Sequence, residues 1–156
     1  MSDTAARFET FSATWLDRLN ADSAEVHLQI GPGPKDYLAL GREANRFVGE
    51  CGFKDIGPNW ELLDPHAGIS EPRSARSAFV EAFAHNMVFT KFEWLGKDAA
   101  IACCEDFLAC FATGPVSIVT NRMWFGWNPI TEATFEWAFV AADESAIALL
   151  LATDED

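Results

Sequence analysis

The stretch ATFEWAFVAADESAIALLLA, residues 133–152, limits the fold more than any other part of the chain. AIALLLA, from Ala146 to Ala152, is apolar at every position. A strand with one wet face alternates apolar and polar residues, and this one does not. It therefore predicts a central strand buried on both sides. In ATFEWAFVA, Phe135, Trp137 and Phe139 share one face, and Glu136, Ala138 and Val140 share the other. Asp143-Glu144-Ser145 lies between the two runs and reads as a hairpin turn. VSIVT supplies another strand just upstream. The acidic end TDED is expected to be frayed and solvated, so deleting residues 154–156 is expected to matter little.

The first part of the chain reads differently. Phe8, Phe11, Trp15 and Leu19 recur at helical spacing and predict one buried face. AEVHLQI alternates, with Val26, Leu28 and Ile30 on one side, as a half-buried strand does. GPGPKDY lacks the Gly-Lys-Ser/Thr end of a phosphate loop, and Asp36 would repel a phosphate there. It reads as a turn, with Pro34 opening a helix whose stripe is Tyr37, Leu40, Ala44, Phe47, Val48 and Cys51. Gly52 is placed to end that helix in a left-handed conformation. From 53 to 73 the periodicity disappears, and a loop this long is often functional or mobile. Ser74 or Ser77 opens the next helix, which carries Phe79, Ala82, Phe83 and Met87. FTKFEWL then reads as a short strand, unless the helix continues through Asn86. A last helix carries Ala100, Cys103, Cys104, Phe107, Leu108 and Phe111 and stops at Gly114-Pro115. Together these elements predict a single α+β domain over 1–156. Its sheet is mostly antiparallel, its helices pack on one face, and a hairpin of apolar strands closes it at the C-terminus.

Composition narrows the function. The 156 residues carry a net charge of -13, so nucleic acid is excluded as a partner by phosphate repulsion. The charge is uneven. From Asp98 to Asp156, ten acids stand against one base, Arg122. No apolar run is long enough to span a membrane, and MSDTAARFETFSATW lacks the pattern of an export signal, which points to the cytoplasm. The four cysteines form no C-x-x-C pair and no cysteine-histidine cluster. No cofactor, metal or catalytic residue is therefore assigned. Cys103, Cys104 and Cys110 share a helical stripe with phenylalanines and read as buried thiols.

Two sets of candidate residues remain. NRMWFGWNPITEATFEWAF, from Asn121 to Phe139, holds three tryptophans. In its extended part Met123, Phe125 and Trp127 face one way, and Arg122, Trp124 and Gly126 the other. Arg122 pairs with an acid such as Glu136 across the sheet, or clamps an anion. Arg122, Trp124, Trp127 and Glu136 are the candidates for binding a protein. Large amphipathic rings anchor interfaces, and acidic charge steers a basic partner in. An inhibitor, an immunity protein or a regulatory subunit fits that pattern. The alternative is a small-ligand-binding domain or a hydrolase-like enzyme built on the 53–73 loop. Trp60, Asp64 and His66 would then form the site, with Arg122 nearby.

Overall fold

The computed structural model describes residues 3–21, 23–36, 38–111, 114–123 and 126–155. In chain order its elements are α1 (Asp3–Leu19), β1 (Glu25–Pro32), α2 (Leu40–Glu50), β2 (Glu61–Leu63), α3 (Ala75–Phe83), α4 (Lys97–Ala109), β3 (Ser117–Thr120), β4 (Arg122–Met123), β5 (Gly126–Trp127), β6 (Phe135–Ala142) and β7 (Ala146–Asp154). Five strands form one antiparallel sheet in the order β1-β7-β6-β3-β2. β4 and β5 form a separate ribbon. The fold is mixed α+β. Among the described residues no helix is long and apolar enough to cross a membrane.

The apolar hairpin lies inside the sheet because neither of its faces tolerates water. β6 and β7 pair from Phe135↔Asp154 to Ala142↔Ile147. Trp137, Phe139, Ala148 and Leu150 point into one core, which α1, α3 and α4 cover. α1, α3 and α4 thus pack together on one face, as the sequence predicts. Ala138, Val140, Leu149 and Leu151 point into a second core on the other face. There α2 supplies Leu40, Ala44, Phe47 and Val48, and the following loop adds Ile56 and Trp60. Burial on both faces is why the sequence of β7 never alternates. The turn is held locally: Asp143 Oδ1 accepts from the N–H groups of Ser145 and Ala146 and from the Ser145 hydroxyl. Gly33 packs against the Glu144 carbonyl so tightly that any Cβ there would collide with it.

Several local expectations change in the structure. α2 begins at Leu40 and not at Pro34, and Gly52 then turns the chain with φ +93°. Ser74 caps α3 by accepting from the Ser77 N–H. α3 stops at Phe83, and FTKFEWL forms neither a strand nor a longer helix. The chain end is not frayed. β7 runs to Asp154, which is buried and accepts from the Ser23 hydroxyl at 2.8 Å. Glu155 accepts from the Thr134 N–H and hydroxyl, and these bonds hold its carboxyl below the ordinary value. Charge alone argued for solvent. The Ser23 and Thr134 donors, which these carboxylates satisfy, decide otherwise.

Candidate functional site

Arg122 and Trp127 face each other across the β4–β5 ribbon. The Arg122 guanidinium lies 5.2 Å from the Trp127 ring centre and 4.8 Å from that of Trp137. Trp127 stacks on Phe135, and Trp137 stacks on Phe139. The result is a column of rings with one cation in it, an arrangement favoured by the negative face of the indole. Arg122 Nη1 also donates to the Glu136 carbonyl at 3.3 Å, not to its carboxylate. Burial lowers the guanidinium pKa from its ordinary value, and the Glu81 carboxylate works against that. The group stays charged, because an arginine starts so high. The cation is thus occupied by internal partners. Trp124, the remaining candidate for binding a protein, lies outside the described residues.

Glu136 points the other way and is fully buried. Its carboxylate accepts from Asn121 Nδ2 at 2.6 Å, the Ile130 N–H at 2.8 Å, and the Thr131 N–H and hydroxyl at 3.0 and 2.5 Å. Among the described residues no cation joins these bonds. An ionised carboxylate takes several donors, so neutral ones can hold it. Asn121 is also buried and bonds in both directions with Ala138. Glu136 and Asn121 together pin the 128–134 segment onto the sheet. Glu136 therefore offers no surface to a partner.

The second candidate set is spread over the fold. Trp60 packs in the core beside α2, and its Nε1 donates to Asn45. Asp64 Oδ1 accepts from the His66 and Ala67 N–H groups, which closes a tight turn. His66 is exposed. Arg73 has φ +59°, in the left-handed region, and its guanidinium bonds Glu61 and the Leu62 carbonyl. A cleft of about 410 Å³ between Leu62 and Ser117 is lined by Asp64 and Arg73. Arg76 ties the same loop to α3 through the Pro65 and Ala67 carbonyls and pairs with Glu105 on α4. The 53–73 loop is thereby bolted to the body. Glu61, Asp64 and Arg73 are spent on the loop's own folding, and the His66 ring stands apart from them in solvent. Among the described residues no group of histidine, cysteine and carboxylate side chains is placed to hold a metal.

Between α3 and α4 lies a feature that the sequence did not single out. Asn86 is buried, and its Oδ1 accepts from the N–H groups of Val88 and Phe89, both at 2.9 Å. The Asn86 N–H donates to the Phe92 carbonyl, and the Phe92 N–H to the Phe89 carbonyl. Trp94 closes the base through Ala84 and packs edge-on against Phe83. This tightly bonded turn leaves Phe89 and Phe92 61% and 66% exposed. Their ring centres are 6.4 Å apart, edge to face. Among the described residues they are the exposed aromatics; Phe79, Phe83, Phe107 and Phe139 lie in the core. The signal available in the sequence was HNMVF, where an asparagine two residues before an N–H favours this turn. Read for alternation alone, the run looks like a strand.

Cys103, Cys104 and Cys110 are free and buried, and burial pushes Cys104 and Cys110 up to about 12. Such thiols are inert as nucleophiles at neutral pH. No family model, curated protein or solved structure matches the chain.

Proposed function

We propose that this chain is a protein-binding domain that takes a partner with a basic surface, and that Phe89 and Phe92 are its apolar anchor. One observation carries the reading: two large rings stand in solvent on a turn that the fold has already ordered. Exposed adjacent rings on an otherwise well-packed domain mark a binding surface. A turn already held by Asn86 loses little entropy when a partner covers it. The tip itself is close to neutral, with Lys91 beside Glu93. Charge acts instead through the whole molecule, whose -13 draws a basic protein in from a distance. Arg122 and Trp127 support the β4–β5 ribbon, and Trp124 remains a candidate contact. An inhibitor, an immunity protein or a regulatory subunit works in this way. Reduced buried thiols suit the cytoplasm as its place of work.

The test uses the immobilised protein and a native lysate at low salt. A basic protein should be retained and should elute as salt rises from about 0.05 to about 0.5 M, because screening shortens the reach of the acidic charge. The double variant Phe89→Ala, Phe92→Ala should release that partner faster while melting as the parent does. Equal retention by the variant places the anchor elsewhere. Failure to retain any salt-sensitive basic partner sinks the reading.

A further inference from the structure

β1 is an edge strand, and only part of its outer edge is closed. The Gly33 N–H donates to the Ser145 carbonyl, so the odd-numbered residues of β1 bond inward to β7. The even-numbered residues therefore turn their backbone groups outward. Val26 is already satisfied: its N–H donates to Asn20 Oδ1 and its carbonyl accepts from Asn20 Nδ2, at 2.8 and 3.0 Å. Pro32 has no N–H to offer. Between them, the outward N–H and C=O groups of Leu28 and Ile30 have no partner among the described residues, and the Ile30 side chain is 47% exposed. A side-chain amide caps one end of the edge and a proline blocks the other, which are usual means of limiting strand addition. What remains open is a short window.

We infer that this window pairs with the same window of a second copy of this chain, joining the two sheets edge to edge through Leu28 and Ile30. The window is self-complementary. A two-fold axis at Gln29 sets Leu28 opposite Ile30 of the second copy, and each outward N–H then meets an outward carbonyl. In the same register Val26 faces the copy's Pro32. The first needs no further bond and the second lacks the N–H to make one, so the closed ends meet each other. Side chains agree as well. On the helix-covered face, apolar Val26, Leu28 and Ile30 line up with Pro32, Ile30 and Leu28 of the copy. On the other face His27 falls opposite Gly31, and Glu25 opposite Gly33, so no like charges meet. Glu25 also lies at the end where the copy's Lys35 leaves its strand. A two-residue shift of register sets either Val26 against Ile30 or Pro32 against Leu28, and leaves outward groups of Ile30 or Leu28 unpaired. Each copy carries -13, so long-range repulsion opposes the pairing and the joint is weak at low salt.

The full chain is to be followed by sedimentation from micromolar to millimolar concentration at low and high salt. Backbone amide exchange is to be measured at both ends of that range. The expected result is a monomer that becomes a dimer as concentration rises, and more readily as salt rises. This is the opposite salt response to capture of a basic partner, so the two proposals fail separately. Exchange at Leu28 and Ile30 should be fast in the monomer and should slow on the order of tenfold or more in the dimer. Gln29, bonded to β7, should stay slow throughout. Ile30→Pro removes the outward N–H and a half-exposed side chain but none of the bonds to β7, and should abolish the dimer while the chain stays folded. A chain that stays monomeric at millimolar concentration and high salt overturns the inference, as does a dimer whose Leu28 and Ile30 amides remain fast. Protection of those amides only when a basic protein is added also overturns it, because the edge then takes a partner's strand. The exchange measurement decides the matter even if the proline variant fails to fold.

Discussion

Glu136 illustrates how one residue can organise a segment. Its carboxylate meets backbone and side-chain donors of Asn121, Ile130 and Thr131 in a fully buried place. Glu136→Ala leaves those donors without an acceptor, and each buried unsatisfied group costs about 1 to 3 kcal/mol. Urea titration should show a loss of about 3 kcal/mol or more, and a loss under about 0.5 kcal/mol would contradict the assigned bonds. Arg122→Lys tests the ring column. A lysine keeps the charge but not the flat face that stacks between Trp127 and Trp137, so about 1 kcal/mol should be lost. The thiols make a prediction about pH. Burial raises Cys104 and Cys110 to about 12, against about 8.5 for an unfolded thiol. The raised groups stay protonated in the fold while the unfolded chain ionises. Their contribution is therefore whole below about 8.5 and is lost as pH climbs toward about 12. Melting scans should show stability falling through that alkaline window. A thiol reagent at pH 8 should modify Cys51, which is only half-buried, well before Cys103, Cys104 or Cys110.

Among the elements, β7 bears the greatest weight. Leu150 is fully buried between Leu28 on β1 and Phe139 on β6. Leu150→Ala leaves a cavity in a packed core and should cost about 2 to 5 kcal/mol in a denaturant titration. The last residues of the chain behave as part of this strand. Deleting 154–156 removes the Asp154 bond to Ser23 and the Glu155 bonds to Thr134, so the midpoint of thermal unfolding should drop measurably. An unchanged midpoint would return the end of the chain to solvent. Elements whose rules are local could be read from the chain directly: the stripe of α1, Ser74 as the cap of α3, Gly52 after α2, and Asp143 in its turn. The 86–92 turn was also local, yet two alternating aromatics outweighed its asparagine. The chain end and Arg122 depended on Ser23, Thr134 and Trp137, which no spacing rule connects to them.

At the scale of the molecule, charge and shape act separately. The net charge of -13 repels itself within the compact state, so moderate salt at neutral pH should raise the melting temperature. A flat response would mean that the acids are already compensated by the fold. Some of them are. Glu136, Asp143 and Asp154 are buried against neutral donors, and Glu43, Glu50, Glu61 and Glu105 pair with arginines. The remaining exposed carboxylates form the negative field around the molecule. By itself the sequence determined the α+β class, the antiparallel sheet with an apolar hairpin inside it, and the inert thiols. Each follows from periodicity or burial, properties that neighbouring residues carry together. Only the tertiary structure decided that Arg122 is held between two indoles, that Glu136 is internal, and that Phe89, Phe92 and the Leu28–Ile30 edge face outward. Exposure is a relation between distant segments. A phenylalanine in the chain has the same composition whether a helix covers it or not, and packing alone distinguishes the two.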